Sequence, residues 1–293
     1  MSKVRRIHQQ KTFTFAHFST TIYLMITNKT FSWLFIALIA PLLLACDSTK
    51  STVNQTEMEA AKAQMPKVLQ QAIEAHGGFD RWHAMQTWAY SIERNEKNER
   101  HFIDLKTRKV LIKQDDFTVG FDGEEVWITP NLAAFGKGSP RFFHNLYWYF
   151  HAFPFVMTDP GINYEVLPPE VMKGKKYDAV KITYNQGVGD APDDEYIAHF
   201  DPETHQMYLL LYTVTYFNGK PGDKYNAIIY DDWKDVNGLL VPNSMKGYKY
   251  NDGELGEQRY KRDFNDIILG TEPADQTQFE MPEGAEIDAL IQH

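Results

Sequence analysis

From Thr87 onward, short segments alternate apolar and polar residues and are separated by turn-forming pairs. TWAYSIERNE, RHFIDLK, KVLIKQ and FTVGF come first, and FDGEEVWIT carries an Asp122-Gly123 hairpin signal. YDAVKITYN, DEYIAHF, HQMYLLLYTVTYF, DKYNAIIYDDWK, LLVPNSMKGYKY and LGEQRYKRDF follow, with Asp201-Pro202, Asn218-Gly219, Asn237-Gly238 and Asp252-Gly253 between them. Alternation with period two puts every second side chain on one face, so each segment reads as a half-buried strand. Gly- and Asn-bearing pairs supply the positive φ that tight hairpins need. The count is roughly ten to eleven antiparallel strands, a number that curls or closes rather than staying flat. The expected class is mainly β (α+β): a single large curved antiparallel sheet, a half-open barrel, with helices packed on its concave face.

The helices are few. KVLQQAIEAH after Pro66 places Val68, Leu69, Ala72 and Ile73 on one face, and Gly77-Gly78 ends it. Asp80 is placed to cap a second short helix, RWHAMQ, with Trp82 and Met85 facing inward. RFFHNLYWYFHAFPF interrupts the strands: Phe142, Leu146 and Phe150 recur at i, i+4 and i+8, Phe143 and Tyr147 lie beside them, and Pro154 stops the run.

Ahead of all this, Phe31 to Ala45 is an uncharged apolar run of fifteen residues that ends at Cys46, the one cysteine of the chain. A bilayer-spanning helix needs about 20 such residues, whereas a secretory signal needs roughly 7–15. Leu43-Leu44-Ala45-Cys46 resembles the bacterial lipobox, with an apolar residue at −3, a small one at −1 and cysteine at +1. That resemblance implies lipidation of Cys46 and cleavage after Ala45, and the thiolate is the nucleophile such alkylation requires. Residues 1–45 are therefore expected to be a signal peptide, and Met25 gives a leader of ordinary proportions as the true start. Residues 46–60 read as the lipidated cysteine with a flexible tether, and residues 61–293 as the domain. Asp47, behind the cysteine, resembles the enterobacterial signal for inner-membrane retention; inner and outer membrane both stay open as addresses in the bacterial cell envelope.

All five basic residues before Cys46 leave with the leader and no acidic one does. The remaining chain sets 25 basic against 39 acidic side chains, a formal charge of −14. Nucleic acid as a partner needs a basic patch and is excluded. Membrane attachment has to come from the acyl chains, several of which hold securely where one does not. The charge balance gives no oligomeric state.

Five segments carry a wider resemblance: AHGGFDRW (75–82), HAFPFVMTDPGINYEVL (151–167), DDEYIAHFDPETHQM (193–207), DDWKDVNGLLVP (231–242) and DFNDIILG with FEMPEGAEI (263–287). With the strand pattern, they make the chain resemble bacterial lipoproteins of the lipoprotein-carrier and receptor fold, LolA/LolB-like, and more narrowly an uncharacterised lipoprotein family of the Bacteroidetes. The resemblance implies a sheet-lined cavity for a lipid or a lipoprotein acyl chain. The carriers themselves are soluble, whereas this chain brings its own anchor, as the receptor does.

Residue patterns for chemistry are sparse. His76 with His83, His144 with His151 and His199 with His205 lack metal-ligand spacing and read as core or rim histidines. GDAPDDE (189–195) and DDWKDVNG (231–238) lack the calcium-loop register and read as solvated turns. No cofactor, metal or catalytic residue is expected, and the protein reads as non-enzymatic. The aromatics are the informative class, with nineteen Phe, sixteen Tyr and six Trp. The candidate ligand-binding residues are Phe142, Phe143, Leu146 and Phe150 of the aromatic helix, with Leu132 and Phe135 of the glycine-bearing loop PNLAAFGKGSP ahead of it. The expected function is lipid-anchored binding of an apolar ligand. Two alternatives stand beside it: a ligand-free envelope interaction module, and an envelope hydrolase with an acidic or histidine site.

Overall fold

The computed structural model describes residues 62–220, 224–251 and 253–291. The expected signal peptide and tether, with Cys46 and Asp47, lie outside the described residues.

Helix α1 (Lys67–Ala75) buries Leu69, Ala72 and Ile73, the apolar face read from sequence. It ends where Gly77 and Gly78 adopt φ of 117° and 97°. Gly77 admits no side chain, because a Cβ there would lie 2.2 Å from the carbonyl oxygen of Gly238. Helix α2 (Phe79–Ala84) is capped by Gly78, not by Asp80. Asp80 falls inside the first turn instead, where a carboxylate still meets the positive end of the helix dipole.

Among the described residues sixteen strands follow, and they form two seven-stranded antiparallel sheets and a hairpin in place of one sheet of ten or eleven. Sheet 1 contains β1 (Thr87–Arg94), β2 (Lys97–Asp104), β3 (Val110–Lys113), β4 (Thr118–Phe121), β5 (Val126–Thr129), β15 (Asn265–Gly270) and β16 (Glu286–Ile287), in the order β15-β1-β2-β3-β4-β5-β16. Sheet 2 runs β14-β13-β10-β9-β8-β7-β6 and comprises β6 (Ile162–Met172), β7 (Lys175–Tyr184), β8 (Tyr196–Phe200), β9 (Met207–Tyr212), β10 (Asn226–Ile229), β13 (Ser244–Asn251) and β14 (Glu254–Asp263). β11 (Trp233–Val236) and β12 (Leu239–Pro242) pair around Asn237-Gly238, whose φ of 54° and 77° suit a tight hairpin.

One residue, Phe264, joins the two sheets between β14 and β15. It turns inward, 2% exposed, and stacks on His151 at 3.7 Å. Beside it Arg262 donates to the carbonyl of Glu93 and to Tyr147 Oη (3.1 Å), filling the gap that β14 and β1 leave unpaired. Twisted open sheets of more than about ten strands curl or split, and this one splits at that corner.

Between the sheets runs α4 (Pro140–His151). Ser139 caps it by accepting from Phe142 N, and Pro140 occupies its first turn, where a missing N–H costs nothing. PNLAAFGKGSP is less loop than its glycines indicate: α3 (Leu132–Phe135) forms there, capped by Asn131. A single apolar core unites α1, α2, α4 and the inner faces of both sheets. A smaller one, around Trp127 and Phe279, backs sheet 1. Among the described residues no helix is long and apolar enough to cross a membrane.

Candidate functional site

Two faces of α4 do different work. Phe143 and Tyr147 turn toward sheet 1. There the Arg94 guanidinium lies over the rings of Phe143 (4.6 Å), Phe135 (4.7 Å) and Phe117 (5.3 Å). Arg94 is held by the fully buried Glu99 at 2.5 Å. Phe142, Leu146 and Phe150 turn the other way and line a partly open cavity of about 350 Å³. Its far wall is made by the ends of three strands of sheet 2, which present Tyr184, Tyr196 and Tyr212.

Of the six residues expected to line a cavity, the structure therefore brings three together. Phe143 and Phe135 pack on each other at 5.4 Å on the side away from it. Leu132 is 38% exposed, its N–H donated to Glu286 Oε2 at 2.7 Å, and it is not a cavity residue. The helical period separates them: positions 142, 146 and 150 share one stripe of α4, and 143 begins the next.

Aromatic residues are the most numerous class on the lining; nine of its 24 residues are Phe, Tyr or Trp. Tyr196 stands at their centre, 5.7 Å from Tyr149, 5.9 Å from Tyr184 and 6.4 Å from both Phe150 and Tyr212. Tyr149 and Tyr184 hydrogen-bond through their hydroxyls. Burial raises the pKa of Tyr149, Tyr184, Tyr196 and Tyr212, so these phenols stay protonated. His144, also on the lining, is lowered to about 4 by burial and stays neutral at pH 7.

Charged groups of the cavity are largely satisfied among themselves. Arg108 Nη2 donates to Asp159 Oδ1 at 2.6 Å, and Arg141 donates to both oxygens of Asp190 at 2.7 and 3.1 Å. Asp190 and Asp194 belong to the segment 189–195, which reads in sequence as a solvated turn. Asp194 is instead 9% exposed and its Oδ1 accepts from Thr215 N at 2.6 Å. Burial, with Asp193 adding to it, pushes Asp194 up to about 6 against the bonds from Thr215. A carboxylate in a Gly/Pro-bearing turn gives no sequence signal of burial. His151 and His76, by contrast, sit as core residues: His151 Nε2 donates to the Pro242 carbonyl at 2.8 Å, and His76 Nδ1 donates to the Ala72 carbonyl at 2.7 Å.

No protein-family model matches the sequence, and no curated protein matches it. Solved structures similar in fold include a DUF1329 family protein from Desulfovibrio piger, at 12% identity over 76% of this chain and 97% of that one, TM-score 0.44. A LolA superfamily protein from Nitrosomonas europaea is similar at 11% identity over 73% and 96%, TM-score 0.42. A putative outer membrane lipoprotein-sorting protein domain from Vibrio parahaemolyticus follows at 11% over 68% and 93%, TM-score 0.38. One of these structures is of a LolA superfamily protein, the group that the sequence resembles. At these scores the likeness says nothing of function, which is read from the cavity.

Proposed function

We propose that this protein binds an apolar ligand, a lipid or a single acyl chain, between α4 and the tyrosine-bearing strand ends of sheet 2, and carries out no chemistry on it. One observation carries the reading: the space beside α4 is partly open and rich in aromatic rings, although packed protein interiors leave few voids larger than a water molecule. Sites of this kind are apolar with a few placed polar groups. Here the arginines are neutralised in place by Asp159 and Asp190, which supports holding a ligand over polarising one. Lipidation at Cys46 would tether the domain to the envelope membrane, where such ligands are found.

Filling the cavity tests the reading. Leu146→Trp adds an indole on the lining face of α4. It is expected to weaken binding of the neutral fluorophore Nile red at least tenfold while the far-UV circular dichroism stays unchanged. Equal affinity in the two proteins, or no binding by the wild type, would leave the domain an interaction module without a ligand. For the anchor, metabolic labelling with an alkynyl fatty acid should mark the wild type and not Cys46→Ser; an unlabelled wild type refutes the tether.

A further inference from the structure

The ion pairs of the cavity leave one charge over. Arg108 is paired with Asp159, and Arg141 with Asp190 and, at 3.6 Å, with Glu125. Arg108 Nη1 has no acceptor, yet it is buried and offers no free donor to the cavity. Asp194 remains. It lines the cavity and is nine-tenths buried, and among the described residues no Lys, Arg or His stands within ion-pair distance of it. Its hydrogen bonds come from Thr215, which is uncharged.

The cavity that this carboxylate lines is rich in aromatic rings. Its charge reaches the phenols of Tyr196 and Tyr149, adding to the effect of burial on both. Tyr196 packs in turn on Phe150, Tyr184 and Tyr212. Ring faces carry negative potential and attract organic cations, and an aromatic box beside a carboxylate is the arrangement that holds alkylated ammonium groups. A buried charge without a partner is costly, and a ligand that brings the missing charge relieves the cost. The volume sets the rest: about 350 Å³ lies at the small end of ligand cavities, which span roughly 300–1,000 Å³, and matches a single chain.

We infer that the cavity selects, among single-chain apolar ligands, those headed by a positively charged nitrogen, seated against Asp194 and the rings of Tyr149, Tyr196 and Tyr212. This rests on the reading of the cavity as an apolar binding site and names the head group that site prefers. Carboxylate-headed chains meet an unpaired like charge there and are disfavoured.

The full chain is titrated with Nile red at pH 7.5, and the dye is displaced with dodecyltrimethylammonium, dodecylamine, dodecanol and dodecanoate below their aggregation limits. Both cations are expected to bind at least tenfold more tightly than dodecanoate, with dodecanol between. A lead for the trimethylammonium probe points to a quaternary head group, and a lead for dodecylamine to a primary amine; either upholds the inference. Asp194→Asn keeps an acceptor for Thr215 N and should bring the cations level with dodecanol. Tyr212→Leu supplies a second variant, expected to cost the trimethylammonium probe several-fold more affinity than dodecanol. Dodecanoate binding as tightly as the cations, or cation preference surviving both substitutions, overturns the inference. Equal displacement by all four probes upholds apolar binding and overturns the head-group preference, whereas displacement by none overturns both.

Discussion

Lowering the pH from 7.5 to 5 strips this domain of much of its stability. His76, His144 and His151 are held neutral by burial, with pKa values lowered to about 4, about 4 and about 3. In the unfolded chain each takes a proton below about pH 6.5. The unfolded state therefore binds more protons across this window, and acid favours it. Each imidazole costs up to about 1.4 kcal/mol per pH unit, so the three together cost about 6 kcal/mol at pH 5. His101 and His199 are lowered as well and act in the same sense. Asp194 opposes them: raised to about 6, it takes its proton earlier in the fold than out of it and returns about 1.4 kcal/mol. The net loss is on the order of 5 kcal/mol, against total stabilities of roughly 5–15 kcal/mol for domains in general. The geometry agrees with the sign, because His76 uses one nitrogen to donate to Ala72 O and the other to accept from Met207 N, which only the neutral ring can do. Urea unfolding at the two pH values reads this directly. A midpoint that does not move would mean that these rings carry their protons inside the fold.

Gly77→Ala is expected to cost about 4 kcal/mol, or roughly 8–16 °C in melting temperature for a domain of this size. Two penalties combine. The φ of 117° lies where L side chains are strained, and the added Cβ would sit 2.2 Å from the Gly238 carbonyl and 2.9 Å from Leu239 Cα, both backbone. Neither neighbour can swing aside, because Leu240 N donates to the His76 carbonyl at 2.8 Å and pins the β11–β12 hairpin to the end of α1. Gly136→Ala is the control: its φ is 82° and ψ −125° but nothing lies within 4 Å of the new atom, so only backbone strain applies, on the order of 1–3 kcal/mol. Equal melting temperatures for the two variants would show that the α1–hairpin contact is not close-packed.

Strand content was legible because period-two alternation survives wherever one face of a strand is buried and the other is not. β6 escaped that reading. It is an edge strand, exposed along most of its length and interrupted by Pro168 and Pro169, which break the alternation and are tolerated only where no neighbour needs their N–H. β15 and β16 are short and gave no pattern of their own. The division into two sheets depends on Phe264 turning inward and Arg262 closing the gap, and such a corner has no one-dimensional signature. At the site, the stripe of Phe142, Leu146 and Phe150 was readable because helical spacing alone decides it. Phe135 and Phe143 were misplaced for a complementary reason: an aromatic next to a cavity stripe looks the same in sequence whether it faces the space or the Arg94 cluster behind it. Asp194 carried no signal, since its surroundings include residues far along the chain, Tyr212 and Thr215 on one side and Tyr149 of α4 on the other.

Sheet 1 is begun by β1 and finished by β15 and β16, so Thr87 finds its partner in Gly270 and Trp127 finds one in Ile287. Pairings this distant along the chain are slow to form, because a long loop has to close before any contact rewards it. Synthesis delivers the opening strands well before the residues that complete their ladder. Until then β1 keeps a bare margin of unpaired amides and carbonyls, the kind of margin that recruits stray strands. For this molecule residues 265–287 are therefore the clasp of its first sheet, and the nascent protein is most vulnerable to aggregation just before they arrive.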